Sequence, residues 1–247
     1  MAKLRRFTVE SLDGMAAGSE LLLSADESRH VRVLRLKPGT EFEALDRRGQ
    51  CARAVIDADS AHGVRARIVA IEKASAVAQR VKLVLAIAWP KGKRAAVLVE
   101  KCAELGVDEL VPIRFERGVV SKDDESEGLV RLRRIAAEAS KQSGRDTIMN
   151  IAAEMTLPDF LTQSISAGLT FMLDPAGDEH LLTAVVNRPE NTECLSLVIG
   201  PEGGLTSAEI ALAGGLGIDK VRLAVHVLRI ETAAIAAGAI CKALLET

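Results

Sequence analysis

The run Leu195-Ser196-Leu197-Val198-Ile199, followed by Gly200-Pro201-Glu202-Gly203-Gly204-Leu205, constrains this chain more than any other stretch. A short run of mostly branched apolar side chains, stopped by a glycine–proline cluster, reads as a buried strand. Directly after the loop, Thr206 and Glu209 have capping-box spacing, in which each side chain satisfies the other's amide, so a helix starts there. Strand, glycine-rich loop and helix in that order put residues 200–205 at the carboxyl end of a strand, where open α/β sheets bind ligands. Glycines let main-chain N–H and C=O groups approach such a ligand closely. A second strand is expected over 220–224, after which Val227-Leu228-Arg229-Ile230-Glu231-Thr232 opens the last helix, so two strand-end loops build one pocket.

From residue 81 onward the pattern alternates. Strands are expected at 81–88, 109–113, 169–173, 195–199 and 220–224, with helices over 91–105, 129–143, 158–165 and 178–186. Such alternation argues an α/β domain around a largely parallel sheet. Residues 1–73 read differently, as a small β-rich domain with strands at 5–9, 41–45, 52–57 and 64–72 and a turn at 47–50. One helix interrupts these strands. Ser24 and Glu27 have capping-box spacing, and Lys37-Pro38-Gly39 stops the helix. The small-residue segment 74–80 is the expected linker between domains 1–73 and 81–247.

That helix carries Arg29, His30, Arg32 and Arg35, with the arginines three apart and therefore side by side. Together with Arg5 and Arg6 they form a candidate basic patch for RNA; the alternative is a solvated face balanced by Asp26, Glu27, Glu41 and Glu43. A net charge of −2 argues against a non-specific nucleic-acid coat but leaves room for a local patch. Tyrosine is absent and aromatics are scarce, which excludes rows of base-stacking platforms.

The four cysteines are scattered, with no C-x-x-C pair and no histidine at metal-ligand spacing, so they read as small core residues and no metal is expected. No secretory signal and no uncharged apolar run near 20 residues is found, and the expectation is a cytoplasmic protein with no membrane contact. The loop 200–204 lacks the Lys-Ser/Thr of a P-loop and the spacing of G-x-G-x-x-G, and no G-x-S-x-G elbow occurs. A cleft of main-chain amides suits a neutral or zwitterionic ligand better than a triphosphate.

Gly200-Pro201-Glu202-Gly203-Gly204-Leu205 with Val227-Leu228-Arg229-Ile230-Glu231-Thr232-Ala233 resembles the bacterial 16S rRNA (uracil-N3) methyltransferases, the ribosomal small-subunit methyltransferase E family of the SPOUT superfamily. The likeness continues in His30-Val31-Arg32-Val33-Leu34-Arg35, in Lys91-Gly92-Lys93 with Glu104-Leu105-Gly106-Val107, and in Gln142-Ser143-Gly144-Arg145. It runs over nearly the full length, in family order. The resemblance implies an N-terminal PUA-like β-barrel that helps hold RNA, and a C-terminal SPOUT α/β domain with a trefoil knot. It further implies a homodimer that uses S-adenosylmethionine to methylate uridine N3 in 16S rRNA of the small ribosomal subunit.

Carried over by position, Leu173, Ile199, Gly200, Pro201, Glu202, Gly203, Gly204, Leu223, Val227, Leu228 and Thr232 would hold the methyl donor. Arg229 is the first candidate to stabilise the developing charge on the uracil and Arg145 the second, because a guanidinium can bond its oxygens without exchanging a proton. Glu231 would accept a proton or orient Arg229, or simply favour a helix N-terminus. The RNA would meet Arg5, Arg6, Arg29, His30, Arg32, Arg35, Lys91 and Lys93. The chain departs from the family pattern at Ala224-Val225-His226, where relatives read near Gly-Pro-Arg, and at Ile230, where a threonine is common. A catalytically lapsed RNA-binding assembly factor of the same fold is therefore the alternative reading.

Overall fold

The computed structural model describes residues 4–46, 50–61, 63–72, 81–118, 127–145 and 147–245. The expected turn at 47–50 lies largely outside these residues, and the expected linker lies wholly outside them. The chain divides into two compact units, Met1–Ala78 with Ser140–Ile148, and Gln79–Ala139 with Met149–Thr247.

In the first unit, β1 (Arg6–Thr8), β2 (Glu20–Leu22), β3 (Glu41–Leu45), β4 (Cys51–Ser60) and β5 (Gly63–Glu72) form one sheet in the order β1-β3-β4-β5-β2. Only β1 and β3 pair parallel; the other neighbours run antiparallel. Along β5 the pattern is a clean period of two, with Val64, Ala66 and Ile68 buried and Arg65, Arg67 and Val69 exposed, as one wet face requires. The buried face meets Phe7, Phe42, Ile56 and Val31 in a single core. The three-residue β2 was not legible, being too short to show any period.

Helix α1 (Ala25–Val33) differs from expectation at both ends. Ser24 does accept from the Glu27 amide, yet Glu27 does not reach back. Its carboxylate is buried and instead accepts from the Thr8 amide, the His30 ring and Lys141. Only half of the capping box forms, because a buried carboxylate gains more from three donors than from one exposed amide. The helix also stops before Lys37-Pro38. The Leu36 amide reaches Val31 O and the Arg35 amide reaches Arg32 O, a Schellman ending with Arg35 at φ 53° in the position that favours glycine. Arg35→Gly is expected to raise stability by about 0.5 kcal/mol, the relieved left-handed strain less the extra freedom of the unfolded chain. Urea unfolding measures it, and a lowered midpoint would contradict it.

The second unit contains β6 (Lys82–Ala88), α2 (Lys93–Glu104), β7 (Glu109–Arg114), α3 (Glu127–Gln142, its last residues counted with the first unit), β8 (Asn150–Ile151), β9 (Met155–Thr156), α4 (Leu157–Ala167) and β10 (Leu169–Leu173). β11 (Glu179–His180), α5 (Leu181–Val186), β12 (Cys194–Ile199), α6 (Ser207–Gly215), β13 (Asp219–Arg222) and α7 (Ile230–Leu245) complete it. Every strand pair is parallel, in the order β11-β13-β10-β12-β6-β7-β8, with β9 also on β7. β12 is buried along its whole length and β6 along nearly all of it, which a strand covered on both faces demands. β12 slots between β10 and β6, both earlier in the chain.

Three expectations are corrected here. Residues 179–180 are strand rather than helix, since they pair with Val221 and Arg222. The strand expected at 220–224 is Asp219–Arg222 and the last helix opens at Ile230, leaving 223–229 as loop. No helix among the described residues is long and apolar enough to cross a membrane.

Candidate active site

Because all strands of the second sheet run the same way, their carboxyl ends share one edge. At β13, β10 and β12, neighbours on that edge, a cavity of about 400 Å³ opens. This is within the roughly 300–1,000 Å³ of small-molecule sites. Residues leaving each strand wall it: Leu173, Asp174 and Pro175 after β10, residues 200–205 after β12, and Leu223, Ala224, His226, Val227 and Leu228 after β13.

The glycine-rich loop has its shape for local reasons. The Gly204 amide bonds Pro201 O at 2.9 Å, closing a turn with Gly204 at φ 73°. A Cβ on Gly200 would sit 2.9 Å from Leu205 Cδ2, so the loop folds onto its own leucine only because residue 200 is bare. Thr206 and Glu209 form both halves of the capping box, and the buried Glu209 carboxylate also accepts from the Glu116 amide at 2.9 Å. That last bond ties the loop's exit to the turn that follows β7.

The structure thus brings ten of the expected donor residues to one cavity: Leu173, Ile199, Gly200, Pro201, Glu202, Gly203, Gly204, Leu223, Val227 and Leu228. Thr232 is exposed in the first turn of α7 and does not line it. Sequence reasoning missed Asp174, Pro175, Leu205, Ala224, His226 and Ala233, all within a residue or two of those named. Arg229 is exposed beside the lining residue Leu228, and its carbonyl accepts from the Ala233 amide. Ile230 is buried in the core. Glu231 is only 12% exposed and lies 3.9 Å from Arg94. Arg145 belongs to the first unit, 8% exposed, with its guanidinium 3.4 Å from Thr147 Oγ1 and its carbonyl accepting from Arg6; it does not line the cavity.

Two arginines that sequence reasoning did not single out hold the loop from the side of β6 and β7. Arg94 bonds Glu202 at 2.6 Å, and Arg117 donates to Gly203 O at 3.2 Å while its stem covers the Gly203 α-carbon. No pattern pointed to them, since their partners lie 108 and 86 residues along the chain.

The basic residues of the first unit are unequal. Arg6 is engaged with Glu43, and Arg32 forks onto Asp59 and also reaches Ser60 O. His30 stands edge-on to Phe7 and 3.4 Å from Glu27. Arg5 and Arg35 are exposed, and Arg29 is exposed with only a loose 3.4 Å contact to Asp26. In the second unit Lys91 and Lys93 are exposed on either side of Gly92. Burial pushes the Cys102 and Cys241 thiols up to about 12, so neither supplies a thiolate near neutral pH. Among the described residues, no group of three or more His, Cys, Asp or Glu is arranged to hold a metal ion.

The family description "RNA methyltransferase domain" matches residues 77–242, and "RNA methyltransferase PUA domain" matches residues 23–73. A ribosomal RNA small subunit methyltransferase E from Synechocystis is 32% identical over 217 residues, covering 87% of this chain and 70% of the relative. The chain belongs to the ribosomal RNA small subunit methyltransferase E family. Its Mycobacterium bovis member is 29% identical over 90% of this chain and 86% of its own. A putative methyltransferase from Legionella pneumophila, solved with bound SAM, superposes with a TM-score of 0.83 at 29% identity over 98% of both chains. The five-stranded unit accordingly includes the family's PUA domain, and the cavity sits in its methyltransferase domain.

Proposed function

We propose that this chain transfers a methyl group from S-adenosylmethionine to N3 of a uridine in 16S rRNA. The cavity at three adjacent strand ends carries the reading, since its walls include the glycine-rich loop after β12 and the loop after β13. The lining fits such a donor on two counts. Bare main chain at Gly200 and Gly203 offers amide and carbonyl groups beside apolar Leu173, Ile199, Leu223 and Leu228, which suits a nucleoside. Asp174 and Glu202 among the lining residues suit its positive charge. S-adenosylmethionine supplies an electrophilic methyl carbon whose leaving group is a neutral thioether.

The chain's own work is then to orient and to stabilise charge. Arg229 donates to the uracil oxygens as N3 loses its proton, and Arg145 is the second candidate for that task. Glu231, in the first turn of α7, accepts a proton or orients Arg229. Holding both reactants in one closed pocket provides much of the acceleration.

The reading includes the trefoil knot, supported by the late insertion of β12 between two earlier strands. It includes a homodimer, supported by Val225 at 88% and Val227 at 74% exposure on the loop beside the cavity. A small-subunit substrate puts the reaction in the cytoplasm.

RNA would meet the exposed Arg5, Arg29 and Arg35 in the first unit and, separately, the exposed Lys91 and Lys93 in the second; Arg32 is exposed too but is held by Asp59. Arg29→Ala combined with Arg35→Ala is expected to reduce the slope of log affinity against log salt by about 1.5, one phosphate contact per residue. An unchanged slope would remove the helix from the RNA interface. The function itself is tested by incubating the protein with small subunits lacking the modification and labelled donor, then mapping the product. Label in 3-methyluridine supports the reading; RNA binding without label would favour the lapsed assembly factor.

A further inference from the structure

Arg94 stands between two carboxylates, and the arrangement leaves the more expensive one unsatisfied. Its Nη1 is 2.6 Å from Glu202 Oε1 and 3.9 Å from Glu231 Oε2. Glu202 is 54% exposed, so water can solvate it whether or not Arg94 is present, and an exposed ion pair of this kind contributes little. Glu231 is the opposite case: 12% exposed, with Oε2 enclosed and without a hydrogen-bond partner. An enclosed carboxylate oxygen without a donor carries a desolvation cost that a charged hydrogen bond would relieve. Moving the guanidinium by about 1 Å, to ordinary charged hydrogen-bond distance, would supply that bond.

The two carboxylates belong to the two halves of the site. Glu202 lines the cavity within the glycine-rich loop, and Glu231 is in the first turn of α7, two residues from the exposed Arg229. Arg94 comes from neither half. It lies in the first turn of α2, just after Gly92, whose φ of 64° marks the sharp bend into the helix. The position of Arg94 therefore depends on β6 and α2, while its partners depend on what fills the pocket.

We infer that Arg94 is a positioning residue that passes from Glu202 to Glu231 when the donor pocket fills, fixing the Glu231 carboxylate for the acceptor base. A ligand pressing on the glycine-rich loop displaces Glu202, which can turn to water. Arg94 then bonds the enclosed oxygen, and Glu231 is held in one rotamer. This rests on the proposed methyl transfer and deepens it, by tying occupancy of the donor half to order in the acceptor half.

The test has a structural and a kinetic arm. A crystal structure of the wild-type protein with S-adenosylhomocysteine should show Arg94 within hydrogen-bond distance of Glu231 and released from Glu202. Arg94 still on Glu202 in a filled pocket overturns the inference, whatever the enzyme methylates. In single-turnover assays, Arg94→Ala should lower the rate about tenfold with less than a threefold change in donor affinity, and Arg94→Lys should recover part of the rate. An Arg94→Ala rate equal to wild type, or a loss that appears only in donor affinity, overturns the inference. Absence of label transfer by the wild-type protein would instead sink the proposed function, leaving the structural arm to be read by itself.

Discussion

Arg229→Ala is expected to slow methyl transfer by a factor of about 10²–10³, the loss typical when one donor to a developing oxyanion is removed. On the proposed mechanism the uracil gains negative charge as N3 attacks, and a guanidinium fork bonds that charge without giving up a proton. The side chain is exposed and its structural contribution is its carbonyl, which accepts from the Ala233 amide and survives the substitution. The melting temperature should therefore move by no more than a degree or two, because exposed substitutions away from such features are nearly neutral. Single-turnover label transfer to undermethylated small subunits measures the rate. Arg229→Lys separates charge from geometry: a lysine keeps the positive charge and loses the fork, so it should recover only a small part of the rate. Wild-type turnover in the alanine variant would remove Arg229 from the chemistry and return the role to Arg145.

The pocket was legible because its signals are local. The strand 169–173 is Leu169–Leu173, and 195–199 differs from Cys194–Ile199 by one residue, since each is a short apolar run cut off by a residue that cannot continue it. The capping box at Thr206 formed because Glu209 could satisfy Thr206 and Glu116 together. The same spacing at Ser24 half failed, because Glu27 found better donors across the first unit. Spacing identifies a possible partner but not its competitors. Arg94 and Arg117 were invisible for a related reason: within their own stretches they read as solvated charges, and only the parallel sheet brings the segments after β6 and β7 to the loop after β12. The order of strands that makes this edge, with β12 inside rather than at the rim, is likewise a property of long-range pairing.

Gly177→Ala should cost about 3 kcal/mol, at the upper end for one methyl forced into a filled space. A Cβ there would lie 2.5 Å from Val221 C, 2.6 Å from Arg222 N and 2.8 Å from Val221 Cα, all main-chain atoms of β13. The turn cannot back away cheaply. The Gly177 amide bonds Asp174 O, the Asp174 amide bonds Val221 O, and the Gly177 carbonyl accepts from Arg222. β13 must shift instead, and Leu223 and Ala224, which follow it into the cavity wall, shift with it. A fall in melting temperature of about 6–12 °C is expected for a chain of this size, with donor affinity in the folded protein reduced at least tenfold by calorimetry. Gly168→Ala is the control. Its Cβ would lie 2.3 Å from the Cys194 carbonyl oxygen, an equally severe clash at the start of β12, the opposite edge of the sheet from the cavity. Its stability should fall comparably while the folded fraction keeps wild-type donor affinity. Equal losses of affinity in the two variants would mean that general loosening of the sheet, rather than the placement of β13, controls the site.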